Sequence, residues 1–97
     1  MVEGRFSPRA ERDIQQILIH GIERHGIRRA TAYVEQFRAA GSLLSEFPHL
    51  GRLHETARGE RFLRHSVGRH VLFYVLDDDG PRIVRILHQA MDFDRHL

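Results

Sequence analysis

Eight histidines and fifteen basic side chains, every one of them arginine, are the groups in this 97-residue sequence that can move protons or hold anions. Lysine and cysteine are both absent. A guanidinium keeps its proton at all physiological pH values, so general-base work falls to His, Asp or Glu. Metal-free cleavage of RNA needs a base for the 2′-hydroxyl, an acid for the leaving oxygen and cations for the developing charge. His65, His70 and His88 can transfer protons, and Arg64, Arg69 and Arg85 can carry the charge. The competing reading of each histidine is a packed or solvated imidazole, because His on a half-buried strand commonly fills an amphipathic position.

Other chemistries find less support. His20 and His25 stand five apart, as do His49 and His54, while His65 and His70 flank a turn. None makes the i, i+4 helical pair of a zincin, and no cysteine alternates with them. Asp77, Asp78 and Asp79 read as turn formers, since adjacent residues on a turn point apart and no second ligand cluster matches them. Ser7, Ser42, Ser45 and Ser66 lack the glycines of a nucleophile elbow. A phosphate-cradling GxxxxGK cannot be written without lysine. No metal and no cofactor are therefore expected.

Length and composition bound the remainder. The chain is expected to form one domain over 1–97, with an ordinary 41% apolar fraction. Nothing approaches the ~20 apolar residues of a membrane span. The start, "MVEGRFSPRA", has no apolar h-region, which together with the missing cysteine fits a cytoplasmic protein. A net charge of only +2 argues against simple nonspecific duplex binding.

Secondary structure must position these groups. A short extended "GRF" leads to Ser7, a suitable N-cap, and Pro8 at the first helical position. Ala10, Ile14, Ile17, Leu18 and Ile22 then form one apolar stripe, and Gly26 reads as the stop, so the first helix covers about 8–25. Ala30, Tyr33, Val34, Phe37, Ala40, Leu44 and Phe47 repeat the pattern up to Pro48, with Gly41 marking close packing or a slight bend. So short a connection makes the pair an antiparallel hairpin.

After a glycine-punctuated loop, "RFLRHSV", "HVLFYVL" and "RIVRILH" read as three strands joined by a Gly68-Arg69 turn and an Asp77–Gly80 turn. The expected class is α+β: an N-terminal strand and an antiparallel helical hairpin packed on a small, mainly antiparallel four-stranded sheet. "QAMDFDRHL" is at most one helical turn.

The middle strand is apolar on both sides, with Val71, Phe73 and Val75 on one and Leu72, Tyr74 and Leu76 on the other. Two helices cover one face, so the pattern predicts that a second protein or a second copy covers much of the other. Arg64 and Arg85 lie beside that face and could accept carboxylates bidentately from an acidic partner segment.

The ordered set "FSPRAERDI", "EFPHLGR", "RFLRHSVGRHVLFYVLDDDG" and "RIVRILHQAMDF" resembles the ParE toxins of the RelE/ParE superfamily, from about Arg5 to Arg95. Phe47-Pro48 with Leu50-Gly51-Arg52, then His70 to Tyr74, then Leu87-His88 carry most of it. The resemblance implies a type II toxin that inhibits DNA gyrase, without enzymatic activity of its own, until a cognate ParD-like antitoxin neutralises it in a hetero-oligomer. It implies a wrapped antitoxin segment on Arg64, Arg85, Tyr74 and Leu72, with operator DNA reached only through the antitoxin. The residues that would touch the target are not implied.

The alternative within the superfamily is a RelE-like, ribosome-dependent mRNA nuclease, for which His88, Arg64 and Arg85 would be the catalytic residues. Those relatives generally place basic residues, often lysine, on the sheet and a tyrosine after the last strand. Here the tyrosines are Tyr33 and Tyr74, and the tail carries Phe93. A ring without a hydroxyl cannot transfer a proton.

Overall fold

The structure, a computed structural model, describes residues 4–97. Strand β1 (Arg5–Phe6) leads through Ser7 into helix α1 (Pro8–His25) and helix α2 (Ile27–Glu46). Four strands follow, β2 (Arg52–Glu55), β3 (Arg61–Val67), β4 (His70–Asp77) and β5 (Gly80–His88), and a 3-10 turn at Phe93–Arg95 closes the chain. The start of α1 is fixed locally: Ser7 Oγ accepts the Ala10 N–H at 3.1 Å, and Pro8 occupies a position whose N–H needs no partner. Its end is Gly26 at φ +84°, a conformation that side chains disfavour. Both helices keep the expected limits.

The sheet runs β1-β5-β4-β3-β2, with β1 parallel to β5 and every other pair antiparallel. It has five strands, where four were expected. The addition is β2, which pairs Arg52 with Arg64 and His54 with Phe62. It is short, polar and mostly exposed, so no apolar alternation marks it, and only the ladder to β3 defines it.

The helical hairpin covers one sheet face. Ala10, Ile14, Phe37 and Leu44 pack there on Leu72, Tyr74, Ile83 and Ile86. Each large side chain fully buried in this way contributes roughly 1.5–3 kcal/mol. Gly41 is a close-packing position, because a Cβ there would lie 2.9 Å from the Phe6 ring. The buried Tyr74 hydroxyl donates to the Pro48 carbonyl and accepts the Gly51 N–H, each at 2.9 Å, which ties down the loop before β2.

The opposite face corrects a second expectation. Val71, Phe73 and Leu87 point away from the helices, and the chain's own tail lies on them through Phe93 and Leu97. The Phe93 and Phe73 ring centroids are 5.0 Å apart. Asp94 accepts the Ala57 N–H at 2.9 Å, and Arg58 donates to the Leu97 carbonyl at 2.9 Å, so the tail is fastened as well as packed. Two isolated apolar residues in a polar tail carry no periodicity, which is why the cover looked external.

Candidate functional site

Beyond the tail, the face opposite the helices stays open around β2 and β3. Strand register sets Arg52 directly opposite Arg64, with Arg64 in turn opposite Phe73 and Ser66 opposite Val71. Arg52, Arg64, His65, Ser66 and Val71, with Leu50, Gln89 and Phe93, line a groove of about 520 Å³. Like charges directly opposed on paired strands repel, and among the described residues neither guanidinium has a carboxylate partner. Two unpaired guanidinium groups beside a serine hydroxyl and a glutamine amide are built to receive an anionic group. Phe93 in the wall has no hydroxyl to transfer a proton, and His65, also in the lining, is paired with Leu72 of the core under the hairpin.

Arg85 is not part of this groove's free charge. Strand β1 ends at Phe6, so β5 has no strand neighbour beyond Ile83, and α1 fills the vacant edge. Asp13 there accepts the Ile86 N–H at 2.9 Å and receives Arg85 through Nε at 2.9 Å and Nη2 at 3.2 Å. Arg85 Nη1 also donates to the His96 carbonyl. The sequence reading missed Asp13. Its signal was a carboxylate at i+3 from Ala10 and i−4 from Ile17, inside the apolar stripe of α1.

His88 lies on the other side of the sheet. It pairs with His70 in the β4–β5 ladder, their ring centroids 5.2 Å apart, and its Nδ1 accepts the Ala90 N–H at 3.1 Å. His70 in turn packs edge-on against Phe37 of α2 and has its Nδ1 2.6 Å from the Tyr33 hydroxyl. Burial, and then the neighbouring His88, push the His70 pKa down to about 4. His65 stands opposite Leu72 in the β3–β4 ladder.

The structure thus does not bring together all three residues a nuclease would combine: Arg64 lines the open groove, while Arg85, held by Asp13, and His88 both line a larger groove beside the helical hairpin. Two of the expected partner-contact residues need correction. Leu72 and Tyr74 are both 0% exposed and belong to the core under the hairpin, so they offer no surface to another protein. Burial on the second face of β4, by the tail, produced the doubly apolar pattern that had suggested otherwise. Among the described residues, no three of His, Asp and Glu gather to hold a metal ion, and no helix is long and apolar enough to cross a membrane.

Residues 5–93 match the family described as the ParE toxin of type II toxin-antitoxin system, parDE. A protein of Caulobacter vibrioides named toxin ParE1 is 34% identical over 95 residues, covering 96% of this chain and 95% of the relative. A Mycobacterium tuberculosis protein, also named toxin ParE1, is 36% identical over 94 residues, covering 95% of this chain and 94% of its own length.

Proposed function

The chain belongs to the ParE toxin family of type II toxin-antitoxin systems, and from that premise we propose that it inhibits DNA gyrase and so blocks replication. It acts in the cytoplasm by binding and catalyses no reaction of its own. The observation that carries this reading is the dispersal of Arg64, Arg85 and His88. General acid–base catalysis needs its groups within hydrogen-bond reach of one substrate, and Arg64 lines a different groove from His88, while Arg85, in register with Arg64 through Phe73, is held by Asp13. Phe93, the tail's ring in the lining of the Arg52–Arg64 groove, has no proton to transfer. Gyrase supercoiling measured with purified toxin tests the proposal, and a ParD-like antitoxin should restore it.

The antitoxin meets the open groove. Arg64 and Arg52 receive its carboxylates, while Leu50, 49% exposed, offers an apolar contact in the same groove. An amphipathic acidic segment fits that mixture, with charge steering the encounter and apolar contact prolonging it. Arg85, in register with Arg64 through Phe73, is held at the sheet edge by Asp13. The resulting hetero-oligomer reaches operator DNA through the antitoxin.

A further inference from the structure

The small net charge conceals a segregated one. Most carboxylates are paired locally, as in Arg5–Asp77, Arg38–Glu11 and Arg58–Glu60. Arg24, Arg29 and Arg69 have no such partner among the described residues, and they converge on a groove of about 1060 Å³ between the hairpin tip, the β3–β4 turn and the end of β5. Among the described residues the only carboxylate lining that groove is Asp13, already held by Arg85.

Local structure accounts for only one of these arginines. Arg24 sits in the last turn of α1, where the helix dipole favours a cation. Arg28 and Arg29 sit in the first turn of α2, where the dipole opposes one, and that turn carries no acidic residue and no side-chain cap. Concentrated like charge destabilises a folded chain unless something binds it.

We infer that this groove binds the phosphate backbone of duplex DNA, independently of sequence. Three features of the groove select that ligand. Arg9, Gln16, His20 and Arg24 line one side at helical spacings over fifteen residues of α1, about 22 Å, which is longer than a single phosphate or a mononucleotide. Along that side Ile17 is the one apolar residue, and the remaining apolar lining, Ala30, Ile86, Leu87 and Met91, comes from other elements, so α1 presents a row of polar and cationic groups rather than of apolar anchors. Tyr33, the one Phe, Tyr or Trp among the lining residues, is packed edge-on against Phe37 with its hydroxyl engaged by His70, so the large aromatic platform on which single strands stack their bases is not offered. The site is distinct from the Arg52–Arg64 groove and does not rest on the gyrase reading.

The test is fluorescence anisotropy of a short mixed-sequence DNA duplex titrated with the full chain across a salt series. Binding should weaken steeply with salt. The triple variant Arg24→Ala, Arg29→Ala, Arg69→Ala should bind roughly tenfold more weakly or worse, and its log–log salt slope should be smaller by about 3. The paired variant Arg52→Ala, Arg64→Ala should bind the duplex as the parent does. All three altered side chains of the triple variant are exposed, and a thermal midpoint taken alongside verifies its fold. Absence of binding at low salt, an unchanged salt slope in the triple variant, or polyglutamate competing as well as unlabelled duplex would each overturn the inference.

Discussion

Asp13 of α1 and Arg85 of β5, seventy-two residues apart, close the open edge of the sheet as one unit: two guanidinium contacts at 2.9 and 3.2 Å, with the Ile86 N–H on the same carboxylate. The carboxylate does what a sixth strand would otherwise do for that N–H. Both side chains are nearly buried, at 10% and 14% exposure, so removing one partner strands a desolvated charge.

Asp13→Ala should therefore destabilise the fold by about 3 kcal/mol in urea denaturation, through Arg85 and Ile86 together. Glu11→Ala, which breaks an ion pair to Arg38 with both side chains over 40% exposed, should cost less than about 1 kcal/mol. Equal losses would show that burial does not decide the worth of the Asp13 contact.

Stability should fall with acid through His70. Its pKa lies near 4 in the fold against 6.5 for a free histidine, lowered first by burial and then by His88, so the unfolded chain takes the proton first. The contribution is complete above pH 6.5 and is lost progressively as the pH drops through about 4. Denaturation midpoints across that window should decline more steeply in the parent than in His70→Gln. Parallel declines would place the acid sensitivity elsewhere.

Charge reversal at the open groove should weaken the antitoxin complex. Arg64→Glu should lower affinity by about 2 kcal/mol, roughly thirtyfold, measured by calorimetry, and Arg52→Glu should act in the same direction. Leu72→Ala should instead cost about 3 kcal/mol of folding stability, as a cavity under the helices. An Arg64→Glu complex of unchanged affinity would move the antitoxin off this groove.

The helical hairpin was legible in the sequence because its signals are local: Ser7 and Pro8 at one end, Gly26 between, and apolar spacing throughout. Strands β3 to β5 were legible by their apolar runs and their turns at Gly68 and Gly80. What was not legible depends on contacts between distant residues. Strand β2 exists through its ladder to β3, the tail's role through Phe93 meeting Phe73, and Asp13's role through an edge that appears only once β1 has ended. The candidate site divided in the same way. Arg64 could be placed beside the open face by alternation, but its twin Arg52 needed the register, and the fate of Arg85 needed Asp13. Summed charge hid most, because +2 averages paired acids against arginines that the fold gathers in two grooves.

The central claim is that this toxin acts on gyrase by binding. One preparation of the purified chain should be added in parallel to a gyrase supercoiling reaction and to a translation extract carrying labelled mRNA. Supercoiling should stop, or cleaved DNA accumulate, while the mRNA stays intact. Undiminished supercoiling at stoichiometric excess, with mRNA cleaved by the parent and spared by His88→Ala, would contradict it.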